Sequence, residues 1–186
     1  MAMVNNVAKN QRFHYHNPVK SKREIADAHK LYKCKRYAVD CREELAKIAD
    51  IVGPMGRVYA SDIQQEMLDI IKAKMGSAPL KNVTLVLGED DNPKLPAGEI
   101  DTVLMVDVYH ELHRPQAVLK NIRAALKPGG RLVLVEYREE DPNVPIQRLH
   151  KMSVKTAKLE VEHEGFTLSK VVSDLPWQHL LVFTKE

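Results

Sequence analysis

The stretch RYAVDCREELAKIADIVGPMGRVYASD, residues 36–62, decides the fold. Its apolar residues cluster at Tyr37–Val39, recur at helical spacing (Leu45, Ile48, Ala49, Val52), then cluster again at Val58–Ala60. The change of period reads as strand, helix, strand. Gly53-Pro54 stops the helix, because glycine accepts a left-handed end and proline has no N–H to continue the ladder. An acid closes each strand, Asp40 and then Asp62. This is the opening of a nucleotide-binding α/β unit, which normally carries glycines in its first turn. Here that turn reads Asp40-Cys41-Arg42.

Working outward, the alternation continues. A helix with Ile63, Met67, Ile70 and Ile71 inward ends at Gly76, and a strand follows at Val83–Leu87. After the loop GEDDNPKLPAGE comes DTVLMVD, whose unbroken apolar centre suits a strand buried on both faces of a parallel sheet. A helix carrying Val118, Leu119, Ile122, Ala125 and Leu126 ends at Lys127-Pro128-Gly129-Gly130, before a strand at Arg131–Val135. Another helix covers about Ser153–Glu164. The last runs, FTLSKVV and WQHLLVF, are too tightly joined by Ser173–Pro176 for a parallel crossover, so they predict an antiparallel edge hairpin. Upstream, Ser21 and Glu24 form a capping box for a helix over about 22–33. The predicted class is a doubly wound, Rossmann-like α/β sheet with right-handed crossovers.

A chain of 186 residues, 44% hydrophobic and 28% charged, suits one globular domain. No apolar run approaches the ~18 residues of a membrane helix. The start MAMVNNVAKNQRFHYH lacks the apolar core of a secretory signal, and two cysteines, Cys34 and Cys41, suit a reducing, cytoplasmic setting. Before Asp40 stand nine Lys or Arg against Glu24 and Asp27. Residues 1–20 therefore read as a basic, flexible leader and 21–186 as the domain. No aromatic-and-basic groove accompanies that charge, so it does not predict nucleic-acid binding.

Ligands of open α/β sheets bind beyond the carboxyl ends of the strands. Those ends carry Asp40, Asp62, Glu89 with Asp90, Asp107 and Glu136. An aspartate between strand and helix is often only an N-cap. Five acidic positions on one rim favour a ligand with ribose hydroxyls, an adenine amine or an ammonium group. Asp62 occupies the fingerprint position of a ribose-binding carboxylate, with Ile63 placed to pack on the base.

The segments GRVYASDIQQEMLDIIKAK, NVTLVLGEDDNPKLPAGEIDTVLMVDVYHEL and LKPGGRLVLVEY, followed by GFTLSKVVSDLPWQHLLVF, resemble the successive motifs of class I S-adenosylmethionine-dependent methyltransferases. The resemblance is to small stand-alone members of the ubiquinone/menaquinone-methyltransferase type, from about Arg57 to Tyr137. It implies a seven-stranded sheet of order 3-2-1-4-5-7-6 and S-adenosylmethionine as cofactor. It also implies Asp62 on the ribose, Ile63 against adenine, Glu89 and Asp90 near the adenine amine, and Asp107 lining the cofactor and acceptor sites. Asp40 stands at the head of the first motif, whose alternating glycines this chain lacks. A Cβ there would hinder close backbone approach to the cofactor's methionine end.

In DVYHELH, beyond the fourth strand, His110 is the candidate base and Asp107 its neighbour on the acceptor side. Methyl transfer from a sulfonium needs alignment, and a base only where the acceptor loses a proton. His110 and His113 lack a third ligand at metal-site spacing, so no metal is expected. The reading is methyl transfer to a small-molecule acceptor, without a membrane span and with the oligomeric state open. The alternative is a catalytically impaired binding protein that has lost its glycine loop. A nicotinamide oxidoreductase would need the same glycines, and the Asn/Asp-Pro-Pro-aromatic sequence of nucleic-acid methyltransferases is replaced by VDVYHEL.

Overall fold

The computed structural model describes residues 2–5, 41–76 and 80–186. Strand β1 (Ala2–Asn5) is followed by helix α1 (Cys41–Val52), β2 (Arg57–Asp62), α2 (Gln65–Met75), β3 (Val83–Leu87) and β4 (Ile100–Val106). Then come a 3-10 turn at Tyr109–Glu111, α3 (Pro115–Ala125), β5 (Leu126–Arg138) and a second 3-10 turn at Arg148–His150. Strand β6 (Lys151–Met152), α4 (Val154–His163), β7 (Phe166–Val172) and β8 (Gln178–Lys185) complete the described chain.

Among the described residues the sheet runs β3-β2-β1-β4-β5-β8-β7, with β6 paired to β5 off this path. Strands β2 and β3 are parallel, as are β4 and β5. Both β2 and β4 lie antiparallel to β1, which makes them parallel to each other. The closing β7–β8 hairpin is antiparallel, and β8 returns antiparallel along β5.

Alternate residues of the strands feed opposite faces. Val103, Met105, Leu132 and Leu134 pack with Val118, Leu119 and Ile122 of α3 and with Ala157 and Val161 of α4. Val58 and Ala60 turn the other way, onto Leu45, Ala49 and Val52 of α1 and Ile71 and Met75 of α2. Burying a Leu or Ile side chain contributes about 1.5–3 kcal/mol, so these two layers dominate the fold's stability.

Several expectations are corrected. In α2 the buried residues are Leu68, Ile71 and Met75, while Ile63 precedes the helix and is 58% exposed. Two apolar stripes competed there, and the one aimed at β2 won. Cys41 and Arg42, expected in a turn, open α1. Lys127-Pro128-Gly129-Gly130 is an irregularity inside β5, whose pairing jumps from Leu126 opposite Ile100 to Arg131 opposite Thr102. The expected strand Tyr37–Val39, Asp40, Cys34, the helix over 22–33 and leader residues 6–20 lie outside the described residues, whereas leader residues Ala2–Asn5, expected to be flexible, form a strand of the sheet. The place between β2 and β4, expected for a parallel Tyr37–Val39, is held by the antiparallel Ala2–Asn5.

Candidate active site

Because β2, β3, β4 and β5 run the same way, their carboxyl ends open on one rim. Asp62 closes β2, Gly88-Glu89-Asp90 follow β3, and Asp107 follows β4. Val106 pairs with Val135, so Glu136 on β5 lies level with Asp107. Asp62 and Asp107 belong to strands separated by β1 alone, about 10 Å at ordinary strand spacing.

On the β2–β3 side the backbone is drawn tight. The Gly88 amide donates to the Asp62 carbonyl at 2.9 Å, and Ser61 Oγ donates to the Pro93 carbonyl at 2.8 Å. A Cβ on Gly88 would stand 3.0 Å from Ser61 Oγ and 3.3 Å from the Asn92 carbonyl, so glycine is needed for this approach. Asp62 Oδ1 accepts from the Gln64 amide at 2.9 Å, turning the chain toward α2. Beside it, Ile63 and Leu87 expose apolar side chains. Glu89 pairs with Lys94 at 3.0 Å, while Asp90 meets His113 at 3.1 Å and Arg114 at 3.9 Å. These are surface pairs, each worth at most about 1 kcal/mol, and a ligand can displace them at small cost.

On the β4–β5 side the polar groups are buried. Asp107 is 4% exposed and takes a left-handed backbone, φ 53°, while its amide donates to the Val135 carbonyl at 2.7 Å. Aspartate tolerates that conformation better than most residues, and such strain concentrates at functional sites. The turn aims the next residues back across the rim. Glu136, fully buried, accepts the Tyr109 amide on Oε1 at 2.9 Å and holds His110 Nδ1 on Oε2 at 2.6 Å. Each carboxylate oxygen thus has a donor, which offsets the desolvation of the charge. With Nδ1 tied to Glu136, His110 Nε2 faces His150 Nδ1 at 3.3 Å, the rings meeting edge to face. Burial alone would lower the His110 pKa; the Glu136 hydrogen bond and charge, with Asp107 and Glu111, outweigh it and raise the value. The Tyr109 hydroxyl donates to Glu160 Oε2 at 3.0 Å, and burial with that acid keeps it a phenol.

The structure therefore brings together His110, Asp107 (3.9 Å apart) and Glu136, and it keeps Asp62, Ile63, Glu89 and Asp90 on the neighbouring part of the rim. Two residues escaped the sequence reading. Glu136 was recognised only as one rim acid, and His150 was not singled out. Their partner His110 lies 26 and 40 residues away, beyond any local spacing rule. His113, the second imidazole of DVYHELH, instead points outward, 83% exposed. Among the described residues, two groups of side chains have a metal-compatible composition: His110, Glu111 and His150, and Asp107, His110 and Glu136. In the second, the 2.6 Å contact of Glu136 with His110 Nδ1 is a hydrogen bond, too short for two ligands of one ion.

Residues 43–134 match a family described as methyltransferase domain. The chain is 33% identical over 101 residues to a demethylmenaquinone methyltransferase of Lactococcus lactis, covering 54% of this chain and 39% of that protein. A Geobacillus enzyme of the same name is 33% identical over 89 residues, covering 48% and 38%. The chain thus spans about two fifths of the length of these relatives. Among solved structures, a SAM-dependent methyltransferase from Aquifex aeolicus superposes with a TM-score of 0.71 at 25% identity, over 77% of this chain and 76% of that one. A SAM-dependent methyltransferase from Mesorhizobium loti shares the fold alone, with a TM-score of 0.59 at 17% identity over 76% and 85%.

Proposed function

Because the chain belongs to the class I S-adenosylmethionine-dependent methyltransferases, we propose that it transfers a methyl group from this cofactor to a small-molecule acceptor. The observation that carries the reading is the shared rim: four parallel strands deliver Asp62, Glu89 with Asp90, Asp107 and the His110–Glu136 pair to one side.

The residues of the β2–β3 side fit the adenosine half. Gly88 leaves the backbone close to Ser61, and exposed Ile63 and Leu87 offer an apolar surface between carboxylates. Asp62 would accept the ribose hydroxyls, since capping uses one of its oxygens and a carboxylate has room for further donors. Ile63 would lie against adenine, and Glu89 and Asp90 would receive its amine. Asp107, with Asp40 from the preceding motif, would serve the methionine end. When bound, the cofactor supplies an electrophilic methyl on a sulfonium sulfur. On the acceptor side, Glu136 fixes the His110 ring so that Nε2 can take a hydrogen bond or a proton from the incoming group. The family's finer sheet order, 3-2-1-4-5-7-6, belongs to this reading; among the described residues Ala2–Asn5 holds the place of its first strand.

Calorimetric titration of the whole chain with S-adenosylmethionine and its demethylated product tests the proposal. Saturable binding of both is expected. A folded protein that binds neither would end it. No helix among the described residues is long and apolar enough to cross a membrane.

A further inference from the structure

His110, Glu111 and His150 bring three ligand-type atoms within 4.0 Å of one another. The two 3-10 turns that carry them lie against each other, one leaving β4 and the other entering β6. His110 Nε2 is 3.3 Å from His150 Nδ1 and 3.8 Å from Glu111 Oε1, and the third edge, His150 Nδ1 to Glu111 Oε1, is 4.0 Å. A triangle with these edges has one point equidistant from its corners, about 2.2 Å from each. Zinc–nitrogen and zinc–carboxylate bonds are about 2.0–2.2 Å long. We propose that His110, His150 and Glu111 form a binding site for a divalent transition metal of the zinc type.

Three further features agree. Glu136, wholly buried, holds His110 Nδ1 at 2.6 Å, which keeps the proton on that nitrogen and leaves the Nε2 lone pair on the side of His150. A metal-bound histidine almost always has such a carboxylate or carbonyl behind it, which fixes the tautomer and strengthens the ligand. The donor set, two imidazoles and one carboxylate, is that of catalytic zinc sites, where three protein ligands leave a fourth position open. Exposure rises across the three, from 5% at His110 to 35% at His150 and 44% at Glu111, so the centre is anchored in the core and open on one side. The histidine edge already suits tetrahedral coordination, whose edges are about 3.3–3.5 Å, and exposed Glu111 can close the other two by about half an ångström.

The proposal rests on the methyltransferase reading only in what the open position would hold: water, or an acceptor's hydroxyl or thiol. Coordination would favour the deprotonated form of such a group, its proton passing to solvent. Metal binding itself is independent of that reading; with the ion bound, His110 Nε2 is a ligand and no longer the proton acceptor.

The test is titration of the chelator-treated full chain with Co2+, read by its visible d–d bands, and with Zn2+ by calorimetry. One ion per chain with nitrogen and oxygen ligation is expected. His150→Ala should weaken binding by more than the effect of Glu136→Gln, for which about 10- to 100-fold is expected from loss of the supporting carboxylate. His163→Ala should leave it unchanged. Circular dichroism shows that each variant is folded, and Glu111→Gln serves if His150→Ala is not. No binding by the native chain, cobalt bands of thiolate type, or affinity indifferent to both ligand substitutions would overturn the site. Titration with S-adenosylmethionine is read separately, so either proposal can fail alone.

Discussion

Asp62 uses one carboxylate oxygen to turn the chain into α2, which leaves the rest of the group for a ligand. Asp62→Ala should therefore weaken S-adenosylmethionine binding by about 1–3 kcal/mol, the usual loss for a charged hydrogen-bond acceptor. Calorimetry on a folded variant decides it, and unchanged affinity would remove Asp62 from the site. Gly88 gives a second prediction at this scale. A Cβ there would stand 3.0 Å from Ser61 Oγ, so Gly88→Ala must push back either the hydroxyl or the Asn92–Pro93 backbone. A loss of about 1–2 kcal/mol in thermal stability is expected, in line with other overpacked sites. Equal melting would mean the loop yields freely. Asp62 was legible in the sequence as a strand-end acid; the close approach that needs Gly88 was not, because Ser61 and Asn92–Pro93 meet it only in the folded chain. His150 was not, because what makes it interesting is a ring brought to His110 from 40 residues away.

Between the residue and the sheet, the 3-10 turn Tyr109–Glu111 is the element that positions His110. Three contacts hold it: the Tyr109 amide on Glu136, His110 on the same carboxylate, and the Tyr109 hydroxyl on Glu160 of α4. Tyr109→Phe removes the last and leaves Glu160 short of a donor, so a destabilisation of about 1–2 kcal/mol is expected in denaturant unfolding. No change would show that the phenol only fills space. The element was partly visible: DVYHELH marked the place, but not a 3-10 turn entered through a left-handed Asp107. Elsewhere the strands at Val83–Leu87 and the α4 segment read correctly because their patterns had one solution. The inward face of α2 read correctly only at Ile71, since its apolar residues offered two overlapping stripes and Leu68 and Met75 are buried in place of Ile63. Only packing against Val58 and Ala60 chose Ile71 with Met75.

At the scale of the whole molecule, two histidines set opposing pH responses. His179 is 1% exposed in β8, and burial lowers its pKa; Arg138 adds to this, and Glu140 with a backbone hydrogen bond to Met152 does not restore it. Above the unfolded value of about 6.5 both states leave it neutral, and it contributes nothing to pH dependence. As pH falls below that value, the unfolded chain takes up a proton that the folded chain resists, and stability declines until the folded pKa is passed. His110 works the other way, because its folded pKa is raised: its stabilisation is complete below about 6.5 and fades as pH climbs through the folded value. Of the two, therefore, only His179 bends the stability curve below about 6.5, and His110 acts above it. His179→Gln keeps a neutral polar group in β8 and removes the opposing histidine. Whatever it costs in absolute stability, its unfolding free energy should fall less between pH 7 and pH 5 than that of the native chain. Denaturant titrations at the two pH values measure this directly, and parallel slopes would mean that His179 titrates normally when folded.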